Sequence, residues 1–186
     1  MEKNKEIGDR HFPLIGHKIA RLFEPPKKFI EPYVKKGQVV ADLGCGPGHY
    51  TLHFAKILGS KGKVYAVDSD KKCIRVLERK AKKRGYYNIE AHASSASDLS
   101  FIKNESIDFI FANGLLCSMA PKQRESAVNE IKRIIKPNGQ AFLSAARASY
   151  SYIETEEWEK ILDGFKIIRR EDKRSSYSAE VSIKLP

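Results

Sequence analysis

An α/β fold built on a mostly parallel sheet is predicted by three observations. Strand-like and helix-like segments alternate from about residue 38 onward, the pattern of a sheet covered on both faces. A loop with three alternating glycines, Gly44, Gly46 and Gly48, falls between the first strand and the first helix. The last two strand-like segments have only a short Ser-rich link at Arg174, Ser175 and Ser176 between them, too short for a crossover, so the sheet should end in an antiparallel hairpin.

The elements follow in order. Gln38 to Asp42 is a short apolar run closed by glycines and reads as a buried strand. Tyr50 to Leu58 carries Leu52, Ala55 and Leu58 on one stripe and stops at Gly59, which predicts a helix. Lys63 to Asp68 is the second strand. Asp70 can cap a helix to about Arg84, with Ile74, Leu77 and Ala81 inward and Gly85 as its stop. Asn88 to His92 and Ile107 to Ala112 read as the third and fourth strands. Lys122 to Lys136 is helical, with Val128, Ile131, Ile134 and Ile135 inward, and is broken by Pro137, Asn138 and Gly139. Gln140 to Ser144 is the fifth strand. A helix from about Glu154 to Asp163 precedes the closing strands, Phe165 to Arg170 and Tyr177 to Lys184. Residues 1–37 fit two short helices around Pro25 and Pro26, a segment expected to pack on the single domain formed by residues 38–186.

One domain is also what 186 residues favour. With 41% hydrophobic and 31% charged residues, the composition is that of a folded globular chain and not of a disordered one. No apolar run approaches the roughly 18 residues needed to cross a bilayer, and the opening MEKNKEIGDRHF lacks the apolar core of a secretory signal. Cys45, Cys73 and Cys117 are widely and irregularly spaced, without a CxxC pair, so neither a disulfide framework nor a zinc knuckle is indicated. A reducing, cytoplasmic setting is the expectation.

The formal charge is +11, a balance compatible with acidic partners and with ordinary enzymes alike. Much of it sits in one place. Residues 71–84 hold eight Lys or Arg against the single Glu78. A nucleic-acid surface and a plain solvated helix face are both readings of that run.

The glycine loop carries the chemistry. Glycine tolerates unusual backbone angles and lets a ligand approach the main chain, and a loop after the central strand of an open α/β sheet lies where ligands bind. The spacing is GxGxG, with His49 where the last glycine of a dinucleotide fingerprint would fall. Asp42, two positions before the first glycine, would repel a pyrophosphate but suits a ligand bearing an amino group. These features argue against NAD and for a cationic nucleoside. Asp68, at the end of the second strand, is placed to accept hydrogen bonds from both hydroxyls of a ribose.

Together, the segments VVADLGCGPGHYT, KVYAVDSD, SIDFIFANGLLCSM and EIKRIIKPNGQAFLS strongly resemble class I S-adenosylmethionine (SAM)-dependent methyltransferases over about residues 27–184. The stretch RLFEPPKKFIEPYVKKGQVVADLGCGPG is most similar to the small-molecule branch related to quinone-biosynthesis methyltransferases. The resemblance implies a Rossmann-like, doubly wound sheet of seven strands in the order 3-2-1-4-5-7-6, with strand 7 antiparallel. It also implies SAM as cofactor and S-adenosylhomocysteine as product. Asp42 and the Gly44, Cys45 and Gly46 backbone would lie by the methionine end, Asp68 on the ribose, Ser69 against adenine and Asn113 near the methionine moiety. Relatives often carry an acidic residue in the turn after strand 3. Here the turn reads Ser94, Ser95, Ala96, leaving Ser95 and the Ala96 backbone to meet the adenine edge.

Methyl transfer from a sulfonium mainly requires alignment, and a general base is optional, so no catalytic residue is forced. His49 and Tyr50 follow the loop as base or substrate contacts, or as filler. Arg147, Tyr150 and Tyr152 follow strand 5, where an Arg beside aromatics suits an anionic or aromatic acceptor. His49 and His53 share a helix face but lack the flanking Glu of a zincin, so no metal site is expected; relatives often show histidines where Cys117 and Ser118 stand, so the resemblance implies no base at that point. A small-molecule acceptor is the first expectation. An RNA or protein methyltransferase using the basic helix 71–84, and a non-catalytic SAM-binding protein, are the alternatives. The assembly is expected to be a monomer or a homodimer.

Overall fold

The computed structural model describes residues 29–146 and 153–183; most of the N-terminal helical segment expected over residues 1–37 lies outside them. Seven strands form one sheet: β1 Val39–Leu43, β2 Lys63–Val67, β3 Ile89–His92, β4 Ile107–Asn113, β5 Ile135–Ala146, β6 Phe165–Lys173 and β7 Ser176–Ile183. Their order is β3-β2-β1-β4-β5-β7-β6. Pairing is parallel from β3 across to β5, and β7 runs antiparallel to both β5 and β6. The expected hairpin is present, its turn reduced to Arg174 and Ser175.

Among the described residues four helices cover the sheet: α1 Thr51–Leu58, α2 Lys71–Lys83, α3 Pro121–Ile134 and α4 Thr155–Leu162. Because side chains alternate along a strand, each central strand feeds two cores. Val40, Phe109, Phe111 and Phe142 pack with Phe54, Ala55 and Leu58 of α1. Their neighbours Ala41, Leu43, Ile110, Ala112, Ala141 and Leu143 pack with α3 and α4, including the fully buried Trp158. Cys73, Ile74, Leu77 and Ala81 are the buried residues of α2. The Asp70 side chain accepts the Lys72 N–H at 2.7 Å and caps α2 as its sequence suggests.

Before the sheet, Phe29 and Ile30 are helical. Tyr33 stacks on Phe109, ring centroids 5.3 Å apart, and its hydroxyl donates to Glu180 of β7 at 2.7 Å. This stretch is thereby tied to the aromatic core.

One boundary departs clearly from the sequence reading. Helix α3 ends at Ile134, and β5 begins at once at Ile135 instead of at Gln140. Ile107 pairs with Ile135, whereas Phe109 pairs with Gln140, so residues 136–139 bulge out of the ladder. Pro137 lacks the N–H a ladder needs. Gly139 fits because a Cβ there would lie 2.7 Å from Ile135 Cγ1 and 2.9 Å from the Ile107 carbonyl oxygen. The Pro-Asn-Gly signal thus marks a bulge within a strand and not a loop before one.

From β1 the chain runs outward to β2 and β3, then returns through β4 to β5 on the other side. The direction reverses between β1 and β4, which opens a crevice at the carboxyl ends of those strands.

Candidate functional site

The crevice has two lips. The first is the glycine loop. Gly44, Gly46 and Gly48 have φ of +76°, +52° and +85°, a region that side chains disfavour. The N–H groups of Gly44 and Cys45 both donate to the Val67 carbonyl oxygen at 2.8 and 3.0 Å. The Gly46 N–H donates to Asp68 Oδ2 at 2.7 Å, and the Asp70 N–H to Asp68 Oδ1 at 2.8 Å. One carboxylate therefore fixes both the loop and the approach to α2. Gly48 meets a different need. A Cβ there would stand 2.4 Å from Leu77 Cδ1, so this glycine lets α2 close on the loop. Lys80 of α2 donates to the Pro47 carbonyl at 2.7 Å.

Asp42 lies under the loop, only 2% exposed, and accepts the Thr51 hydroxyl at 2.6 Å. Burial raises its pKa from 3.8 to about 7, with the nearby Asp68 charge adding to the rise and the Thr51 hydroxyl and N–H opposing it. The acid that reads in sequence as a loop carboxylate is thus a buried, titrating group. Burial also pushes the Cys45 thiol well above its usual range, helped by the charges of Asp42 and Asp68.

The second lip follows β4. Asn113 and Gly114 are exposed. Ser144 of β5 donates to Asn113 Oδ1 at 2.5 Å, and the Gly114 N–H donates to Ser144 Oγ at 3.0 Å. A 3₁₀ turn, Leu116–Ser118, comes next. Cys117 is buried there and donates to the Gly114 carbonyl at 3.3 Å. Across the crevice a Cβ on exposed Gly44 would lie 3.2 Å from Leu115 Cδ1, whereas one on Gly114 meets nothing within 4 Å. The lips touch at Leu115 and part beside it, leaving bare main chain facing open space.

Sequence reasoning missed what holds the second lip. Arg124, 6% exposed, donates from Nε to the Leu116 carbonyl at 2.7 Å and from Nη2 to the Met119 carbonyl at 2.8 Å. Its Nη1 pairs with Glu157 of α4. A signal was present: the inward stripe of α3, Val128 and Ile131 to Ile135, extended back one turn, lands on Arg124. A cation on an apolar stripe must be paired.

The turn after β3 is held from α3. Leu99 N–H donates to Glu130 Oε2 at 2.7 Å, and Arg133 donates to the Leu99 and Ile102 carbonyls at 2.8 Å each. Ser95 Oγ accepts the Ser97 N–H at 3.2 Å and shares a hydrogen bond with Ser97 Oγ at 2.8 Å, so its hydroxyl is engaged within its own turn. Ala96 is buried and Ser69 exposed. His49 and Tyr50 are half-buried with rings 4.9 Å apart, and Tyr50 packs on Phe111 at 4.7 Å. Arg147, Tyr150 and Tyr152 lie outside the described residues. Among the described residues no group of three or more His, Cys, Asp or Glu could hold a metal, and no helix is long and apolar enough to cross a membrane.

A fold with this strand order, opened at this crevice over a glycine hairpin, defines a nucleoside-binding α/β protein. Comparison with known proteins narrows the class. Residues 40–139, more than half of the chain, match the family model described as "Methyltransferase domain". Over 106 residues the chain is 31% identical to a demethylmenaquinone methyltransferase of Geobacillus stearothermophilus, covering 57% of this chain and 44% of that protein. It is 37% identical over 83 residues to a probable cobalt-precorrin-6B C(15)-methyltransferase (decarboxylating) of Saccharolobus solfataricus, covering 44% of this chain and 41% of that one. The matches thus span less than half the length of these two relatives. A SAM-dependent methyltransferase structure from Aquifex aeolicus superposes with a TM-score of 0.76 at 25% identity, covering 94% of this chain and all of that one. The chain belongs to the class I SAM-dependent methyltransferase family, and SAM is the cofactor of its class.

Proposed function

We propose that this chain transfers a methyl group from SAM to a small-molecule acceptor, of the quinone-like or related conjugated-ring class. The observation that carries the reading is the glycine hairpin. Gly44 and Gly46 turn through positive φ, the Gly46 N–H is fixed by Asp68, and bare backbone at Gly44 and Gly114 borders open space. A flat nucleoside needs that kind of cradle, because any Cβ at Gly44 would narrow it.

In this reading Gly44, Cys45 and Gly46 present main chain to the amino-acid tail, with Asp42 beneath as a carboxyl that a nearby ammonium would draw toward its charged form. Asp68 has lone pairs beyond its two backbone bonds to offer ribose hydroxyls. Ser69, Ser95 and the Ala96 backbone border the adenine, and Asn113 the methionine moiety. When bound, SAM supplies an electrophilic methyl on a sulfonium, open to in-line attack. The chain's contribution is alignment and exclusion of water. His49 and Tyr50, at the mouth of the loop, are the described groups placed to contact an acceptor, and Arg147 and Tyr150 are proposed with them. The names of the two relatives, a demethylmenaquinone methyltransferase and a probable cobalt-precorrin-6B C(15)-methyltransferase, support a small conjugated acceptor.

The test has two stages. Calorimetry should show SAM binding to the native chain and at least a hundredfold weaker binding to Gly46→Val, whose β-branched side chain disfavours the φ of +52° that the loop requires; equal affinities would refute the site. Incubation with heavy-methyl SAM and a demethylated naphthoquinol should then add one methyl to the acceptor. Binding without transfer to any small-molecule pool would refute the acceptor class alone.

A further inference from the structure

A cavity of about 590 Å³ opens at the sheet edge opposite the glycine loop. Lys63 and Ile89, the first residues of β2 and β3, line it, together with Tyr86, Tyr87 and Asn88 from the link between α2 and β3. Strand β2 lies between this cavity and Asp68, a separation of roughly 15 Å at about 3.3 Å per residue. The cavity is therefore outside the proposed cofactor site. Tyr87 on its wall is 90% exposed, far more than the other exposed large hydrophobics described, Ile167 and Ile168.

Helix α2 leads directly into this wall. At about 100° per residue, Lys71, Lys72, Arg75, Arg79, Lys82 and Lys83 fall within an arc of roughly 120°. All six are exposed. The buried Cys73, Ile74, Leu77 and Ala81 face the other way. Among the described residues, none of the six side chains makes an ion pair or hydrogen bond. Lys71, Arg75, Arg79 and Lys83 follow one another at four-residue spacing, an arrangement that destabilises a helix by mutual repulsion. Four arginines outside this helix, Arg124, Arg133, Arg169 and Arg170, each hold a carboxylate. A continuous anion along α2 would relieve the repulsion, and an aromatic-walled cavity at its end would receive a planar group.

A bilayer surface would match the charge but leave the cavity and its tyrosines without purpose, and the apolar face of α2 is already committed to the sheet. A duplex keeps its bases paired inside. We propose that the cationic face of α2 and the cavity at Tyr86 and Tyr87 bind single-stranded nucleic acid, with phosphates along α2 and an unpaired base against Tyr87. This docking surface stands independently of the acceptor and of the cofactor.

The test uses the full chain and a fluorescein-labelled oligouridylate of about 15 nucleotides, followed by anisotropy from about 25 to about 250 mM salt. Binding should weaken with a log–log slope of about −3, as expected for some four phosphates on a single strand. The triple variant Arg75→Ala, Arg79→Ala, Lys82→Ala should bind at least tenfold more weakly with a shallower slope. Tyr87→Ala should bind about fivefold or more weakly with the slope unchanged, because it removes stacking and no charge. SAM affinity of these variants, measured alongside, should equal that of the native chain, which shows them folded and separates this result from the fate of the cofactor site. No binding at the lowest salt would overturn the proposal. So would indifference to both variants, duplex binding as tight as single-strand binding, or preferential sedimentation with phosphatidylglycerol vesicles that Tyr87→Ala leaves intact.

Discussion

The two lips of the crevice are held by different physics. The glycine lip is shaped by backbone angles and by carboxyl groups that belong to it or to the next strand: Gly44 and Gly46 at positive φ, Asp42 below and Asp68 alongside. The lip after β4 has ordinary angles apart from Gly114, and is held from a distance by Arg124 of α3 and Ser144 of β5. One lip carries its own restraints, whereas the other borrows them. The first should therefore respond to pH and to loop substitutions, and the second to changes in elements that never reach the crevice.

The largest expected effect falls on the borrowed restraints. Arg124→Ala leaves the Leu116 and Met119 carbonyls and Glu157 without their partner, and should lower stability by about 3–5 kcal/mol. Chemical denaturation measures this; a loss below about 1 kcal/mol would mean the second lip holds itself. Arg124→Lys should recover little, since one ammonium cannot span two carbonyls and a carboxylate as a guanidinium does.

Next comes the pH response of the glycine lip. Asp42 titrates at about 7 in the folded chain against 3.8 for the free group, so the folded state keeps a proton that the unfolded state has released. The stabilising contribution is complete below about pH 4, declines as pH rises, and is gone above about pH 7, a total of roughly 4 kcal/mol at most. Urea melts between pH 4 and 8 should show this slope in the native chain and lose it in Asp42→Asn.

A smaller effect is expected at Asp68. Its replacement by Ala removes an acceptor from the Gly46 N–H and, in the proposed site, from the ribose. SAM affinity should fall by about 1–3 kcal/mol in calorimetry. The smallest belongs to Ser144→Ala, which removes the hydroxyl that Asn113 Oδ1 accepts but leaves the Gly114 N–H its 3.1 Å bond to the Ser144 carbonyl; it should cost about 1 kcal/mol of stability, readable as a shift in the denaturation midpoint.

The same contrast explains what the sequence reveals. The glycine loop, Asp68 and the cap at Asp70 are local features: spacing and residue type determine them, and the structure brings them together as their order suggests. The strand order follows from alternation and one short hairpin link. The Arg124 clamp is not local. It joins residues of α3, the β4 lip and α4 that are distant in sequence, and surfaces only as a cation lying on an apolar stripe. The β5 boundary is obscured for a related reason. Pro137 and Gly139 mark turns in most settings, and only the pairing of Ile135 with Ile107 across the sheet makes them a bulge. Ser95 likewise reads as a free acceptor until Ser97 is seen to occupy it.

Cys45 sits in the hairpin that would hold a potent alkylating agent. A thiolate there would be the strongest nucleophile within reach of the sulfonium and would invite self-methylation of the protein. Burial and the neighbouring acids keep the sulfur protonated, and its hydrogen bond to the Gly46 carbonyl occupies the proton. The surroundings that shape the proposed cradle would thus also disarm it.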